Sequence, residues 1–276
     1  MTRLAILICA LLLSACSRAE MTALSETQRP MRIVSLDYCA DQYVLKLADR
    51  EQILALSPGA QGDFSYMRQA ARGLPSVSPS AEDVLALKPD LVVRAYGGGP
   101  RAPALFARAG IPVLEVGWTS KIAGDGPGTV AGTIRHMAEG LGQAPRGEAL
   151  AAAYHARLAG LSPGPAGETA LYATPGGVTS GPGSLVHEML VAAGLENFQR
   201  RPGWRPIPLE RLAYETPDRF VFADFDGGAG PWSAARHPLL ARRLRETPVT
   251  RIDGASTACG AWFAGDAIEA MAERPE

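Results

Sequence analysis

Four tryptophans are the side chains of this chain most suited to recognising a ligand, because each falls in a loop pattern rather than inside a periodic element. Trp118, Trp204, Trp232 and Trp262 lie among glycines, in Gly117-Trp118-Thr119-Ser120, Pro202-Gly203-Trp204-Arg205, Asp224 to Trp232, and Cys259 to Phe263. A large aromatic ring in a loop offers a flat apolar surface, and neighbouring glycines let backbone approach a bulky ligand. With the loops Asp37-Tyr38-Cys39, Tyr96-Gly97-Gly98-Gly99 and Thr174 to Ser184, they predict an aromatic cleft lined by Tyr38, Tyr96, Trp118, Trp204, Arg205, Trp232 and Trp262. Plugging of loops against a core accounts for one or two of the tryptophans.

The remaining reactive side chains point away from catalysis. His136, His155, His187 and His237 are scattered, and none stands at metal-ligand spacing from another histidine, cysteine or carboxylate. No Gly-x-Ser-x-Gly elbow occurs, no Gly-Lys-Ser/Thr phosphate loop, and Tyr96-Gly97-Gly98-Gly99-Pro100 lacks the spaced glycines of a dinucleotide fingerprint. No catalytic group, resident metal or cofactor is therefore expected. Charge is balanced, 27 Lys plus Arg against 28 Asp plus Glu, so no basic field invites nucleic acid.

Positioning such loops requires a scaffold, and 276 residues with 47% hydrophobic content can build a large core. Short β-branched runs at 32–36, 53–56, 91–93 and 113–116 alternate with helical patterns at 41–48, 81–87 and 103–109. The same alternation returns with strands at 169–172, 220–222 and 249–252 and helices at 185–193, 209–214 and 238–245. Between them, Val130, Ile134, Met137 and Leu141, then Leu150, Tyr154, Leu158 and Leu161, fall at helical spacing. The expected fold class is α/β, two Rossmann-like lobes with mainly parallel sheets joined by a connecting helix, the cleft between them. The expected lobes are 31–128 and 163–276, with connecting helices over 129–162. A repeat at constant offset supports the pairing: Glu82, Val84, Pro89, Asp90 and Val93 match Glu210, Leu212, Pro217, Asp218 and Val221, each 128 residues on.

The N-terminus carries an address. Arg3, the ten-residue apolar run Leu4 to Leu13, and Leu13-Ser14-Ala15-Cys16 read as a signal peptide over 1–15 that ends at a lipoprotein-type cysteine. Cys16 would be acylated, and 16–30 would form a polar tether to a bacterial membrane; simple cleavage after Ala15 or Ala19 is the alternative. Cys39 and Cys259 then remain in an oxidising compartment. They could bridge or stay free; a permanent bridge across a cleft would hinder ligand entry, so two unpaired thiols are expected.

Several segments resemble the helical-backbone substrate-binding proteins of ABC importers for vitamin B12, iron siderophores and haem. They are Arg32-Ile33-Val34-Ser35-Leu36, the run Ala81-Glu82-Asp83-Val84-Leu85-Ala86-Leu87-Lys88-Pro89-Asp90-Leu91-Val92-Val93, Thr179-Ser180-Gly181, Gly203-Trp204 ahead of Leu209-Glu210, and Ala261-Trp262-Phe263. The resemblance spans about residues 31–272. It implies a monomeric periplasmic protein that delivers a small metal chelate to a permease with its ATPase, with Glu82 and Glu210 docking to permease arginines. Helix capping by Ser80 and Asp83 is the plainer account of Glu82. The tyrosine that haem-binding members carry upstream of the Ala-Glu element is replaced by Leu74-Pro75-Ser76-Val77-Ser78-Pro79, which lowers haem. Siderophore, held by aromatics with Arg94, Arg101 or Arg205, stands slightly ahead of cobalamin. The same lobed fold occurs in chelatases, so a tetrapyrrole enzyme using His187, His237 or Asp224 is the alternative.

The lipoprotein reading makes a direct prediction. Cys16→Ala should abolish fatty-acid labelling and shift the protein from membrane to soluble fractions; membrane association unchanged by the substitution would contradict it.

Overall fold

The computed structural model describes residues 29–162, 167–225 and 233–273, so Cys16, the signal segment and Trp232 lie outside the described residues. Two four-stranded sheets organise the chain. The first holds β1 (Ile33–Ser35), β2 (Ile53–Ala55), β3 (Leu91–Arg94) and β4 (Val113–Glu115), all parallel, in the order β2-β1-β3-β4. The second holds β5 (Thr169–Ala173), β7 (Glu196–Asn197), β9 (Arg219–Asp224) and β10 (Val249–Asp253), also parallel, in the order β10-β9-β5-β7. Counted from its own first strand, each sheet runs second-first-third-fourth. The fold is thus two α/β lobes with mainly parallel sheets.

Helices cover these sheets because the strands are apolar on both faces, Ile33, Val34, Val92, Val93, Leu171, Tyr172, Phe220 and Val221 all being buried. They are α1 (Tyr38–Leu47), α2 (Ala81–Ala86), α3 (Ala102–Arg108), α4 (Val130–Gly140), α5 (Ala144–Ala159), α6 (Leu185–Ala192), α7 (Leu209–Tyr214), α8 (Pro238–Glu246) and α9 (Ala264–Ala272). Helices α4 and α5 follow the first sheet and precede the second in the chain. Arg157 of α5 pairs with Asp266 and Glu269 of α9, which fastens them to the second lobe.

The 128-residue repeat has a physical basis. In each lobe the aspartate of the Pro-Asp turn reaches back to the start of the lobe's first strand. Asp90 accepts the amides of Met31 and Arg32 at 2.8 and 2.9 Å, and Asp218 accepts the Thr169 amide and hydroxyl at 2.8 and 2.7 Å. The Thr169 hydroxyl holds the Asp218 carboxyl below the usual carboxylate range.

Three observations depart from the sequence expectations. Helix α1 begins at Tyr38 rather than Asp41, because Asp37 caps it by accepting the Ala40 amide at 3.0 Å; Tyr38 and Cys39 therefore stand in a first helical turn, not on a loop. The loops around Thr179 and Trp204 contain an antiparallel pair, β6 (Val178–Ser180) with β8 (Trp204–Pro206). Finally, Cys39 and Cys259, expected as free thiols, form a disulfide with Cα atoms 5.6 Å apart. The early start of α1 brings Cys39 to the turn after β10. Around the bridge the lobes already meet: the Tyr43 hydroxyl donates to the Gly260 carbonyl and the Tyr66 hydroxyl to Asp266. A Cβ on Gly260 would lie 2.4 Å from that of Thr119, so glycine is needed where the chains approach.

Asp41, one turn into α1, is fully buried and accepts the Ser57 amide at 3.1 Å and the Ser57 hydroxyl at 2.6 Å. Burial pushes its carboxyl from an ordinary 3.8 up to about 6, against the lowering effect of the Ser57 hydroxyl. A pKa raised on folding gives stability that is full below about pH 4 and lost as pH rises through about 6. Asp41→Asn keeps an acceptor for Ser57 and cannot ionise. It should flatten the stability profile between pH 4 and 7 and raise stability at neutral pH by up to about 3 kcal/mol. Parallel denaturation profiles for the two proteins would contradict this assignment.

Candidate functional site

In a doubly wound sheet the ligand crevice opens where the strand order reverses, at the carboxyl ends of the strands. Both lobes obey this. In the first, the reversal falls between β1 and β3, whose ends lead into Asp37-Tyr38 and Ala95-Tyr96-Gly97; in the second, between β5 and β9, leading into Thr174-Pro175 and Phe225. These segments border one cavity of about 1020 Å³, at the top of the roughly 300–1,000 Å³ range of small-molecule pockets.

The first lobe's wall is fixed by one carboxylate. Asp37 Oδ2 accepts the amides of Ala95, Tyr96 and Gly97 at 2.7, 3.0 and 2.8 Å, while Oδ1 caps α1. Arg94 grips the same loop from its carbonyl side, donating to Gly97 O at 2.8 Å and Gly99 O at 3.1 Å while pairing with Glu115 at 2.6 Å. Gly97 is obligatory, since a Cβ there would sit 2.3 Å from the Leu36 carbonyl. Held this way, Tyr96 meets Tyr38 edge-on at 5.9 Å between ring centres, Tyr38 meets Phe64 at 5.7 Å, and Phe64 meets Phe225 of the other lobe at 4.8 Å. Opposite them Tyr172 packs edge-on against Trp204 at 6.2 Å, its hydroxyl 2.8 Å from that of Thr257. Burial raises the Tyr96 and Tyr172 phenols above their ordinary value, in Tyr96 with help from the nearby Tyr38 phenol, so both stay protonated and neutral.

The structure places Tyr38, Tyr96, Trp118 and Trp204 on the cavity. Trp118 and Trp204 remain 77% and 51% exposed, which leaves much of each indole open to solvent. Trp262, expected on the cleft, is 9% exposed and belongs to the core: it packs edge-on against Tyr43 and Phe263, with Lys46 Nζ 5.4 Å from its ring. Arg205, also expected there, points elsewhere; it donates to the Pro202 carbonyl at 3.0 Å from the exposed strand β8. Arg94 supports the Tyr96 loop, and Arg101 is exposed outside the cavity. Phe64, Tyr172, Phe225 and Tyr43 complete the described aromatic lining and were not singled out by residue type or spacing; Phe225, just after Asp224 in a loop marked for its glycines, carried the one available signal.

Among the described lining residues the only charged side chain is Asp63, and no lysine or arginine lines the cavity. The groups considered for catalysis are engaged locally. Asp224 pairs with Arg251 at 2.9 Å, the His237 ring accepts the Leu239 amide as the cap of α8, and His187 lies 3.3 Å from the Asn197 amide nitrogen; none borders the cavity. Glu82 in α2 and Glu210 in α7 are exposed in the first turns of helices that the repeat makes equivalent. Among the described residues no group of three histidine, cysteine or carboxylate side chains could hold a metal ion, and no helix is long and apolar enough to cross a membrane.

Comparison with solved structures finds the same fold repeatedly. The periplasmic haem-binding protein RhuT from Roseiflexus superposes with a TM-score of 0.67 at 23% identity, over 87% of this chain and 97% of that one. The periplasmic vitamin B12-binding protein BtuF of Vibrio cholerae gives 0.62 at 18% identity, over 88% and 95%. The Fe3+-hydroxamate transport protein from Saccharomonospora viridis gives 0.61 at 22%, over 87% and 91%. No protein of curated function matches the chain in sequence. A family model described as periplasmic binding protein matches residues 33–242, from the first strand into α8. The chain therefore belongs to the periplasmic binding protein family, whose members bind solutes rather than transform them.

Proposed function

We propose that this protein captures a corrinoid, the cobalamin class of metal chelate, and delivers it to the permease of an ABC importer from a lipid tether at Cys16. The observation that carries this reading is the large aromatic cavity between the lobes, whose described lining holds no cation. An anion buried there would lack a charged partner and lose much of its hydration. Haem brings two propionates and many ferric siderophores bring net negative charge. A corrinoid instead carries neutral carboxamides on its rim, which need no charged partner, while its flat face suits Tyr38, Tyr96, Trp118 and Trp204. The arginines that would have favoured a siderophore lie off the cavity.

Titration against cyanocobalamin, hemin and the anionic siderophore ferric enterobactin, followed by tryptophan fluorescence and calorimetry, tests this. Cyanocobalamin should bind most tightly, and Trp204→Ala should weaken it by about 1–3 kcal/mol, as expected of an anchoring aromatic. Trp262→Ala should instead lower stability by about 3–5 kcal/mol, as for a buried aromatic. Tighter binding of hemin or ferric enterobactin would overturn the corrinoid reading.

Delivery rests on Glu82 and Glu210, one exposed carboxylate on each lobe. Reversing both, Glu82→Lys with Glu210→Lys, should leave chelate affinity unchanged and abolish uptake in cells, since exposed charges outside the cavity act on partner recognition. Normal uptake by the double variant would return both residues to a helix-capping role.

A further inference from the structure

The disulfide lies between the two ligand walls rather than in a remote part of the fold. Cys39 and Cys259 both border the cavity, although 220 positions separate them in the chain. Each has a wall aromatic beside it. Cys39 follows Tyr38 directly, in the helical turn capped by Asp37, which also holds the Tyr96 loop. Cys259 lies two residues after Thr257, whose hydroxyl is 2.8 Å from the Tyr172 hydroxyl, and Tyr172 in turn packs on Trp204. One covalent link thus ties the Tyr38–Tyr96 wall of the first lobe to the Tyr172–Trp204 wall of the second.

We propose that the Cys39–Cys259 bridge determines specificity by fixing the separation of the two aromatic walls, so that the cavity admits chelates of one thickness without closing around them. The remaining cross-lobe contacts hold the lobes together but do not replace it. Arg68 pairs with Asp253 at 3.2 Å and Tyr66 bonds to Asp266, yet none of these four residues borders the cavity. Tyr43 reaches Gly260 through one hydrogen bond and packs on Trp262, Tyr66 stacks on Phe263, and Phe64 touches Phe225; ring contacts of this kind allow sliding that a covalent bond does not. A preset width means that little ordering of the lobes is left to be done on binding. With the bridge present, the family's two-lobed cleft becomes a rigid gauge.

This inference rests on the corrinoid reading for its choice of probes, and the test separates the two. The Cys39→Ser/Cys259→Ser double variant is compared with the wild type in two ways: amide hydrogen exchange of the empty protein at 95–97 and 257–261, and the affinity ratio for cyanocobalamin over hemin. The bridge account expects faster exchange in both segments, cyanocobalamin binding weakened about tenfold, and a narrower ratio because hemin loses less. Wild-type exchange in the variant, or an unchanged ratio, overturns it. A wild-type protein that binds neither chelate overturns the corrinoid reading instead, and exchange alone then decides whether the bridge sets the walls. If the double variant does not fold, wild-type protein reduced by a phosphine and alkylated under native conditions replaces it in both measurements.

Discussion

The carboxylate of Asp37 is the constraint on which the ligand-facing half of the first lobe depends. It receives four backbone amides, three from the loop after β3 and one from the first turn of α1, at the point where the strand order reverses. Buried amides without partners are costly, and one buried carboxylate answers four of them at once. Tyr38, Cys39 and Tyr96 inherit their positions from that arrangement. Arg94 closes the loop from the other side and is itself neutralised by Glu115, so two charged residues near the cavity are consumed in shaping it. What they leave facing the cavity is aromatic and nearly free of charge.

The second lobe reaches the same end by different means. Its strand order repeats that of the first, and Asp218 anchors β5 as Asp90 anchors β1, but its wall is supported by hydroxyl and ring contacts among Tyr172, Thr257 and Trp204. A single apolar cluster runs from Ile33 and Val93 of the first sheet through Ile134 and Met137 to Tyr172 and Val221 of the second, so the lobes share one core. The disulfide crosses the edge of that core. Family membership supplies the two-lobed plan and the solute-binding role; the bridge and a described lining without a cation belong to this chain's own residues.

Much of the plan was legible in the sequence because it is written in local patterns. Short β-branched runs buried on both faces announce parallel strands, and the Pro-Asp repeat marks one structural contact used twice. Residues whose role depends on distant neighbours were less legible. Trp262 sits among glycines and alanines like a cleft residue, yet the α1 face carrying Tyr43 and Lys46 covers it. The disulfide could not be read because its geometry depends on where α1 begins, and that is set by Asp37. Phe64 and Tyr172 gave no signal: one lies in an irregular turn segment, the other within a strand that reads as ordinary core. Arginine abundance misled in the opposite direction, since Arg94 and Arg205 bond to backbone carbonyls and leave the described lining without a cation.

A rigid, preset aromatic cavity that takes a flat neutral chelate is the central claim, and a crystal structure of the protein with cyanocobalamin tests it most directly. The account predicts the corrin ring between Tyr38 and Tyr96 on one side and Tyr172 and Trp204 on the other, the Cys39–Cys259 bridge intact and the Tyr43–Gly260 hydrogen bond kept. A ligand seated away from these rings, or lobes swung apart with that hydrogen bond broken, would contradict it.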